Sequence, residues 1–235
     1  MLKILQSEEE IDEARRVLSA RGLDCLPGWG GRILQRLGWD RNAAVGDYLK
    51  SWDVLKTVEF IEKSVPHHRS VLDIGAYASE ILVILQRMGF ADLHGIDFNA
   101  QINRMPGASH IRFVVGDFYS SPYPDAAFDA ITAISVIEHG FDKSRLLGEI
   151  TRLLRGGGFF IASFDYWPEK ITTEDIRPFG LCWTIFSAEE VAALLKDAAD
   201  FGLFPVGELS YGASAKPVKW EARDYTFGWL VLQKQ

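Results

Sequence analysis

Ser70-Val71-Leu72-Asp73-Ile74-Gly75-Ala76-Tyr77-Ala78-Ser79-Glu80 is the stretch that decides the fold. A short apolar run reaches an acid, breaks at a glycine and passes into the helical pattern of Glu80–Met88. That order predicts a buried strand, a tight turn and a helix start. A second apolar run, Ala91–Ile96, ends in Asp97. Strand, glycine turn, helix, strand and acid make half of a nucleotide-binding sheet. The free N–H groups of the helix N-terminus suit an anion, and the acid at the second strand tip suits ribose hydroxyls. A dinucleotide fingerprint would read Gly-x-Gly-x-x-Gly; this turn has one glycine, with Tyr77 and Ser79 where others would be expected. The spacing to Asp97, about 20 residues downstream, fits that fingerprint better than the glycine count does.

Outward from this unit, strands and helices alternate. Strands are expected at Val71–Ile74, Leu93–Ile96, Ile111–Val115, Phe128–Ile134 and Phe159–Phe164, with helices at Glu80–Met88, Asn99–Met105 and Lys143–Leu154. The strands are rich in Ile, Val and Phe without clean alternation, as when both faces are covered. Right-handed crossovers then give an α/β, doubly wound, mostly parallel sheet with helices on both faces. Ser187 caps a helix over Ala188–Ala199; Leu203–Leu209 and Thr226–Leu232 read as a closing antiparallel pair, for seven strands in all.

The ends are read more coarsely. Ser7 caps a helix with Ile11, Ala14, Val17 and Leu18 inward, and Gly22 stops it. A turn at Pro27–Gly31, a short helix at Arg32–Leu37 and a loop at Asp40–Gly46 follow, then a helix over Ser51–Lys63. Residues 1–46 are thus expected to form a helical appendage or cap, and 47–235 the main domain. Within it, residues 165–186 carry aromatics, prolines and charges without a period and read as a lid-like insertion.

Composition sets bounds on function. The chain has 235 residues, 48% of them apolar, and a net charge of −7. The pI near 5.3 argues against nucleic acid as the main partner. Cys25 and Cys182 form no metal or redox pair, which fits a reducing, cytoplasmic setting. No apolar run is long enough to span a bilayer, so no membrane partner is expected. A Gly-x-x-x-x-Gly-Lys-Ser/Thr loop, His-Glu-x-x-His or Cys-x-x-Cys spacing, and a Gly-x-Ser-x-Gly elbow are all missing. No metal is implied.

Five segments in order resemble one family. Val71-Leu72-Asp73-Ile74-Gly75 resembles its first motif, Gly95-Ile96-Asp97 the second-strand acid, and Val115-Gly116-Asp117-Phe118 the Gly-Asp after the third strand. Phe128–Ile131 through Ser135-Val136-Ile137-Glu138-His139 resembles the fourth-strand segment, and Leu153–Gly158 the turn before the fifth strand. Together they look like a class I S-adenosylmethionine-dependent methyltransferase of the small-molecule type, over roughly Ser51–Gln235. The departure is the turn Gly75-Ala76-Tyr77-Ala78-Ser79, where the family commonly has Gly-x-Gly-x-Gly. Either Tyr77 keeps an ordinary backbone and points away, or its ring closes part of the pocket. The Asn/Asp-Pro-Pro-aromatic signature of methyltransferases acting on base amino groups is missing, which lowers nucleic-acid acceptors further.

The resemblance implies the site. Asp73 orients the Gly75-Ala76-Tyr77 turn and the cofactor ammonium, or simply bonds nearby backbone. Asp97 takes two ribose hydroxyls, or caps the helix that follows. Phe98 flanks the adenine or packs in the core. Asp117 accepts from the adenine amino group with Phe118 beside the ring, or serves turn chemistry. The backbone at Ser135 meets the methionine part. His139 is the candidate general base, since an ordinary imidazole changes charge near neutral pH; the plainer reading is a structural histidine. Asp165 is a second catalytic candidate or a strand-end turn residue. All seven tryptophans (Trp29, Trp39, Trp52, Trp167, Trp183, Trp220 and Trp229) fall outside Asp53–Tyr166, so the flanking segments are candidates for the acceptor wall. Lys50-Ser51-Trp52 is the candidate segment for closing on the cofactor. The expected activity is methyl transfer from S-adenosylmethionine to an O or N atom of a small molecule. The alternative is a methyltransferase-like binding or scaffold protein without chemistry.

Overall fold

The computed structural model describes residues 1–26, 45–140 and 142–235. The expected turn at 27–31, the short helix at 32–37 and most of the 40–46 loop lie outside the described residues, as do Trp29 and Trp39. In chain order the elements are β1 (Leu2–Ile4), α1 (Glu8–Ala20), α2 (Ser51–Ser64), β2 (Ser70–Ile74), α3 (Ile81–Arg87), β3 (Asp92–Asp97), β4 (Ile111–Val115), β5 (Phe128–Ile134), α4 (Lys143–Leu153), β6 (Leu154–Tyr166), α5 (Ala188–Asp200), β7 (Leu203–Pro205), β8 (Val218–Trp220) and β9 (Arg223–Lys234). The class is the expected mixed α/β. The described residues hold nine strands rather than seven. The two unforeseen ones, β1 and β8, are three residues long each, too short for a period to register.

Contacts divide the chain into two compact units, Ile11–Ser121 and Met1–Glu10 with Pro122–Gln235. In the first, β2, β3 and β4 pair in parallel, Ile74 beside Ile96 and Asp97 beside Val115. Every residue of β2 is buried, Ser70 and Asp73 included, which fits its lack of polar–apolar alternation. Ile81–Leu85 of α3 are all buried, so this short helix is held by packing. The expected helix at 99–105 is a 3₁₀ turn, Ala100–Arg104, capped by the Asn99 side chain at Gln101 N–H. Pro106 explains its brevity: the residue before a proline is pushed out of the helical region, and Met105 sits at ψ 144°. Helix α1 ends as its glycine requires, with Gly22 at φ 70° and Leu23 N–H donating to Leu18 O at 2.9 Å.

One buried polar feature of this unit leaves no local mark in the sequence. Arg15 and Glu80, 65 residues apart, are both buried and face each other as a fork: Nη1 donates to Oε2 at 2.9 Å and Nη2 to Oε1 at 2.7 Å. Burial alone works against the Arg15 charge, and the Glu80 and Asp24 carboxylates more than restore it, holding the guanidinium above its ordinary range.

In the second unit the order is β1-β9-β6-β5, with β5 and β6 parallel and β9 antiparallel to its neighbours; β7 and β8 also pair with β9. Tyr225–Leu232 of β9 are buried without interruption, because strands lie along both of its edges. Leu2 pairs with Leu230, and Thr226 Oγ1 donates to Leu5 O at 2.7 Å, so the N-terminal residues join the sheet ahead of the expected helix. Strand β6 begins earlier than expected, and Gly156–Gly158 makes a register break within it, between the Phe128–Leu154 and Ala130–Phe159 pairs. The α5 capping box is complete: Glu190 N–H donates to Ser187 Oγ, and Ser187 N–H to Glu190 Oε2.

Removing one member of a buried pair strands the other charge, which costs about 3–5 kcal/mol. Glu80→Ala should therefore lower the unfolding free energy by about that amount in urea titration. Adding Arg15→Ala should cost far less than a second full penalty, because the stranded charge goes with it.

Candidate functional site

In the Ile11–Ser121 unit the tips of three neighbouring parallel strands carry acids, as open α/β sheets arrange their ligand sites. Asp73 lies within β2 and is buried. Asp97 ends β3 half-buried, and Asp117 follows β4, exposed. Asp97 organises the group. Its Oδ2 accepts from Tyr77 N–H at 3.1 Å and its Oδ1 from Asn99 N–H at 2.8 Å, while its backbone oxygen accepts from Gly116 N–H at 2.9 Å. Gly75 N–H and Ala76 N–H both turn to Ile96 O, at 3.0 and 3.3 Å. One residue thereby ties the glycine turn to the tips of β3 and β4.

The turn resolves the Tyr77 question for the backbone. The left-handed residues are Gly75, at φ 69°, and Ala78, at φ 64°; Tyr77 and Ser79 keep ordinary conformations. Phe98 stands 72% exposed, next to Asp97. An aromatic ring left this open is not core packing, and it suits a flat ligand face. Asp117 caps the short 3₁₀ turn Phe118–Ser120 by accepting from Tyr119 N–H at 2.9 Å. The turn role weighed for Asp117 is thus present, whereas the cap weighed for Asp97 belongs to Asn99, and Asp97 instead holds Asn99 N–H. These contacts do not exhaust a carboxylate, which has about four acceptor sites. The side chains fit adenosine: carboxylates that can accept from hydroxyls and an amino group, and an open aromatic face.

The other unit holds the remaining expected residues. Ser135, at the end of β5, is held at φ 52°, a costly value for serine. Its N–H donates to Ser163 O at 3.0 Å and to Ser163 Oγ at 3.1 Å. The His139 ring is half-buried and meets Trp220 edge to face at 6.1 Å. Asp165 is buried in β6, and its Oδ2 accepts from the Trp183 Nε1–H at 2.7 Å. Trp183 in turn packs edge to face on Trp220 at 5.0 Å and on Tyr225 at 5.8 Å. The chain at His139 bridges to Trp183, and Thr184 N–H donates to Glu138 O at 2.9 Å. Sequence reading had His139, Asp165, Trp183 and Trp220 as separate candidates; the fold assembles them into one aromatic cluster. The Tyr166 phenol is pushed up to about 12 by burial and donates to Tyr211 O, so it holds its proton at neutral pH.

Other candidates resolve into framework. Ser51 and Trp52 are buried at the start of α2, and Ser51 Oγ accepts from Arg15 Nε at 2.9 Å. Lys216 lies 4.4 Å over the Trp167 ring, and Arg223 binds Asp175 and Thr172 O. Residues 165–186 fold back on β6 through Phe186 N–H to Asp165 O and Trp167 N–H to Phe186 O. Ser163, Arg15 and Glu80 were missed, because nothing local in the sequence marks them.

Residues 72–162 match the methyltransferase domain family. Over 103 residues the chain is 30% identical to a sterol 24-C-methyltransferase of Neurospora crassa, covering 37% of this chain and 27% of that protein. Over 53 residues it is 42% identical to ajmaline N-methyltransferase of Rauvolfia serpentina, 23% of this chain and 18% of that protein. The chain thus spans under half the length of the curated relatives it matches. The crystal structure of geranyl diphosphate C-methyltransferase from Streptomyces coelicolor A3(2), in complex with Mg²⁺, geranyl diphosphate and S-adenosyl-L-homocysteine, superposes at a TM-score of 0.55 with 15% identity, over 81% of this chain and 87% of that one. At that identity the likeness shows the fold alone.

Two outcomes follow from the side-chain environments. Trp183→Phe removes the indole donor to buried Asp165 and should cost about 1–3 kcal/mol of stability in denaturant titration. The Cys25 thiol is pushed up to about 11 by burial, whereas Cys182 is exposed. Only the thiolate attacks. Brief iodoacetamide treatment of folded protein at pH 8 should therefore label Cys182 first, as read by peptide mass spectrometry.

Proposed function

We propose, from the premise that this chain belongs to the class I S-adenosylmethionine-dependent methyltransferases, that it transfers a methyl group to an O or N atom of a small-molecule acceptor. The observation that carries this reading is Asp97, pinned by Tyr77 and Asn99 N–H groups at the tip of β3 with acceptor capacity to spare. In this reading Asp97 takes the ribose hydroxyls, Asp117 the adenine amino group, and Phe98 and Phe118 the ring. Asp73 orients the Gly75–Tyr77 turn and meets the ammonium. Ser135 remains a cofactor residue, through its backbone.

When bound, S-adenosylmethionine supplies a methyl made electrophilic by its sulfonium. The residues of the chain hold, orient and exclude water. Orientation of two reactants is worth up to roughly 7–11 kcal/mol of barrier. His139 is the proposed base: an imidazole accepts a proton near neutral pH and serves an acceptor that must lose one from oxygen or nitrogen. Such a base adds about 10²–10⁴-fold. Asp165, buried and engaged by Trp183, acts in this proposal by positioning that indole rather than by meeting substrate. Residues 165–186 and the Trp183–Trp220–Tyr225 cluster supply the apolar wall on the acceptor side. The sterol and geranyl diphosphate enzymes are C-methyltransferases by name and the ajmaline enzyme an N-methyltransferase. The nitrogen or oxygen assignment here rests on His139. A reducing, cytoplasmic setting with no membrane or nucleic-acid partner completes the reading. It is supported by the acidic pI and by two free cysteines. Among the described residues no helix is long and apolar enough to cross a membrane.

Calorimetric titration with S-adenosylmethionine, S-adenosylhomocysteine and NAD tests it. Micromolar affinity for the first two is expected, and Asp97→Ala should weaken it at least tenfold. Binding of none of the three would favour the scaffold alternative, and preference for NAD would overturn the reading.

A further inference from the structure

The Gly75–Glu80 turn lacks the family's later glycines and yet keeps a left-handed residue at Ala78. That region is strained for alanine and not for glycine, so contacts from elsewhere have to hold it. Three do. The Ala78 carbonyl accepts from Gly46 N–H at 2.9 Å. The Ala78 N–H donates to Met105 Sδ at 3.2 Å. Two residues on, the buried Glu80 carboxylate is gripped by the Arg15 fork at 2.7 and 2.9 Å.

Two of these contacts, at Glu80 and beside Gly46, lead back to one guanidinium. Arg15 also donates from Nη2 to Asp47 O at 3.3 Å, from Nε to Ser51 Oγ at 2.9 Å and from Nη1 to Asp24 Oδ1 at 3.1 Å. It therefore fixes the backbone beside Gly46 as well as the side chain beside Ala78. Gly46 is confined in turn. It sits at φ 92°, and a Cβ there would lie 2.6 Å from Glu80 Cδ, so the loop backbone rests directly on the carboxylate that Arg15 holds. A pair that only fastened α1 to the rest of the unit would not need this second arm or this close approach.

We propose that Arg15 is a positioning residue of the cofactor turn: through Glu80 and the backbone at 46–47 it holds Ala78 left-handed, replacing by an external clamp what a glycine would supply from within. The effect on cofactor affinity rests on the proposed methyltransferase reading; the effect on the turn does not.

Arg15→Lys keeps the charge and loses the fork, and Ala78→Gly removes the strain that the clamp opposes. Two measurements on the full chain separate the roles: amide hydrogen exchange over residues 76–80, and calorimetric affinity for S-adenosylhomocysteine. Arg15→Lys should speed exchange in the turn at least tenfold beyond any global change and raise the dissociation constant about tenfold. Adding Ala78→Gly should bring both back to within about threefold of wild type. Glu80→Gln, which keeps the shape and weakens the grip, should behave in the same direction and serves if Arg15→Lys does not fold. The proposal is overturned if Arg15→Lys lowers the melting temperature while turn exchange stays within twofold, or if Ala78→Gly restores nothing. If wild-type protein binds no S-adenosylhomocysteine, the cofactor reading falls, and the exchange measurement alone decides the clamp.

Discussion

Taking a guanidinium and a carboxylate out of water is expensive unless each satisfies the other. Arg15 and Glu80 do so through two short bonds, with the remaining Arg15 donors spent on Ser51, Asp24 and the Asp47 carbonyl. The pair stands at the start of α3, just after the turn that distinguishes this chain from a glycine-rich relative. Helix α1, the loop at 45–51 and α3 all meet at it. Parallel strands supply the frame of the Ile11–Ser121 unit, but this ion pair determines how the loops sit on the frame. It lies outside the residues that would touch a ligand, and it shapes the ones that would.

The other unit solves a different problem. Strand β9 pairs with β6 and also with the short strands β8, β1 and β7, and its middle is buried and built almost wholly of apolar and aromatic residues. Its polar groups are spent on backbone pairing. One aromatic cluster stands apart from that pairing, where Asp165 holds the Trp183 indole and Trp183 supports Trp220 beside His139. A buried carboxylate bonded to an indole N–H is a rigid strut, and it places an aromatic surface with little conformational freedom left to lose on binding.

The likeness to the methyltransferase domain and the aromatic cluster lie on different parts of the chain. The stretch matched to the methyltransferase domain, residues 72–162, covers the alternating strands and helices and stops before the aromatic cluster is complete. Trp183, Trp220 and Tyr225 all lie beyond it. Relatives matched over that stretch include C- and N-methyltransferases by name. That is as expected when the scaffold holds the methyl donor and the variable segments choose the nucleophile.

By itself the sequence determined the alternation of strands and helices, the acids at Asp73, Asp97 and Asp117, the helix cap at Ser187, and the stop at Gly22. Each of these is written within a few residues, in hydrophobic period, turn chemistry or capping spacing, and local physics reads it directly. Strand β1, the pairing of Arg15 with Glu80, the left-handed Ala78 and the grouping of His139 with Trp183 and Trp220 belong to the tertiary structure. Their partners lie tens to hundreds of residues apart. No local preference favours an alanine at positive φ, or a buried arginine. Only the packed fold brings the compensating groups within hydrogen-bond reach and removes the water that would otherwise compete for them.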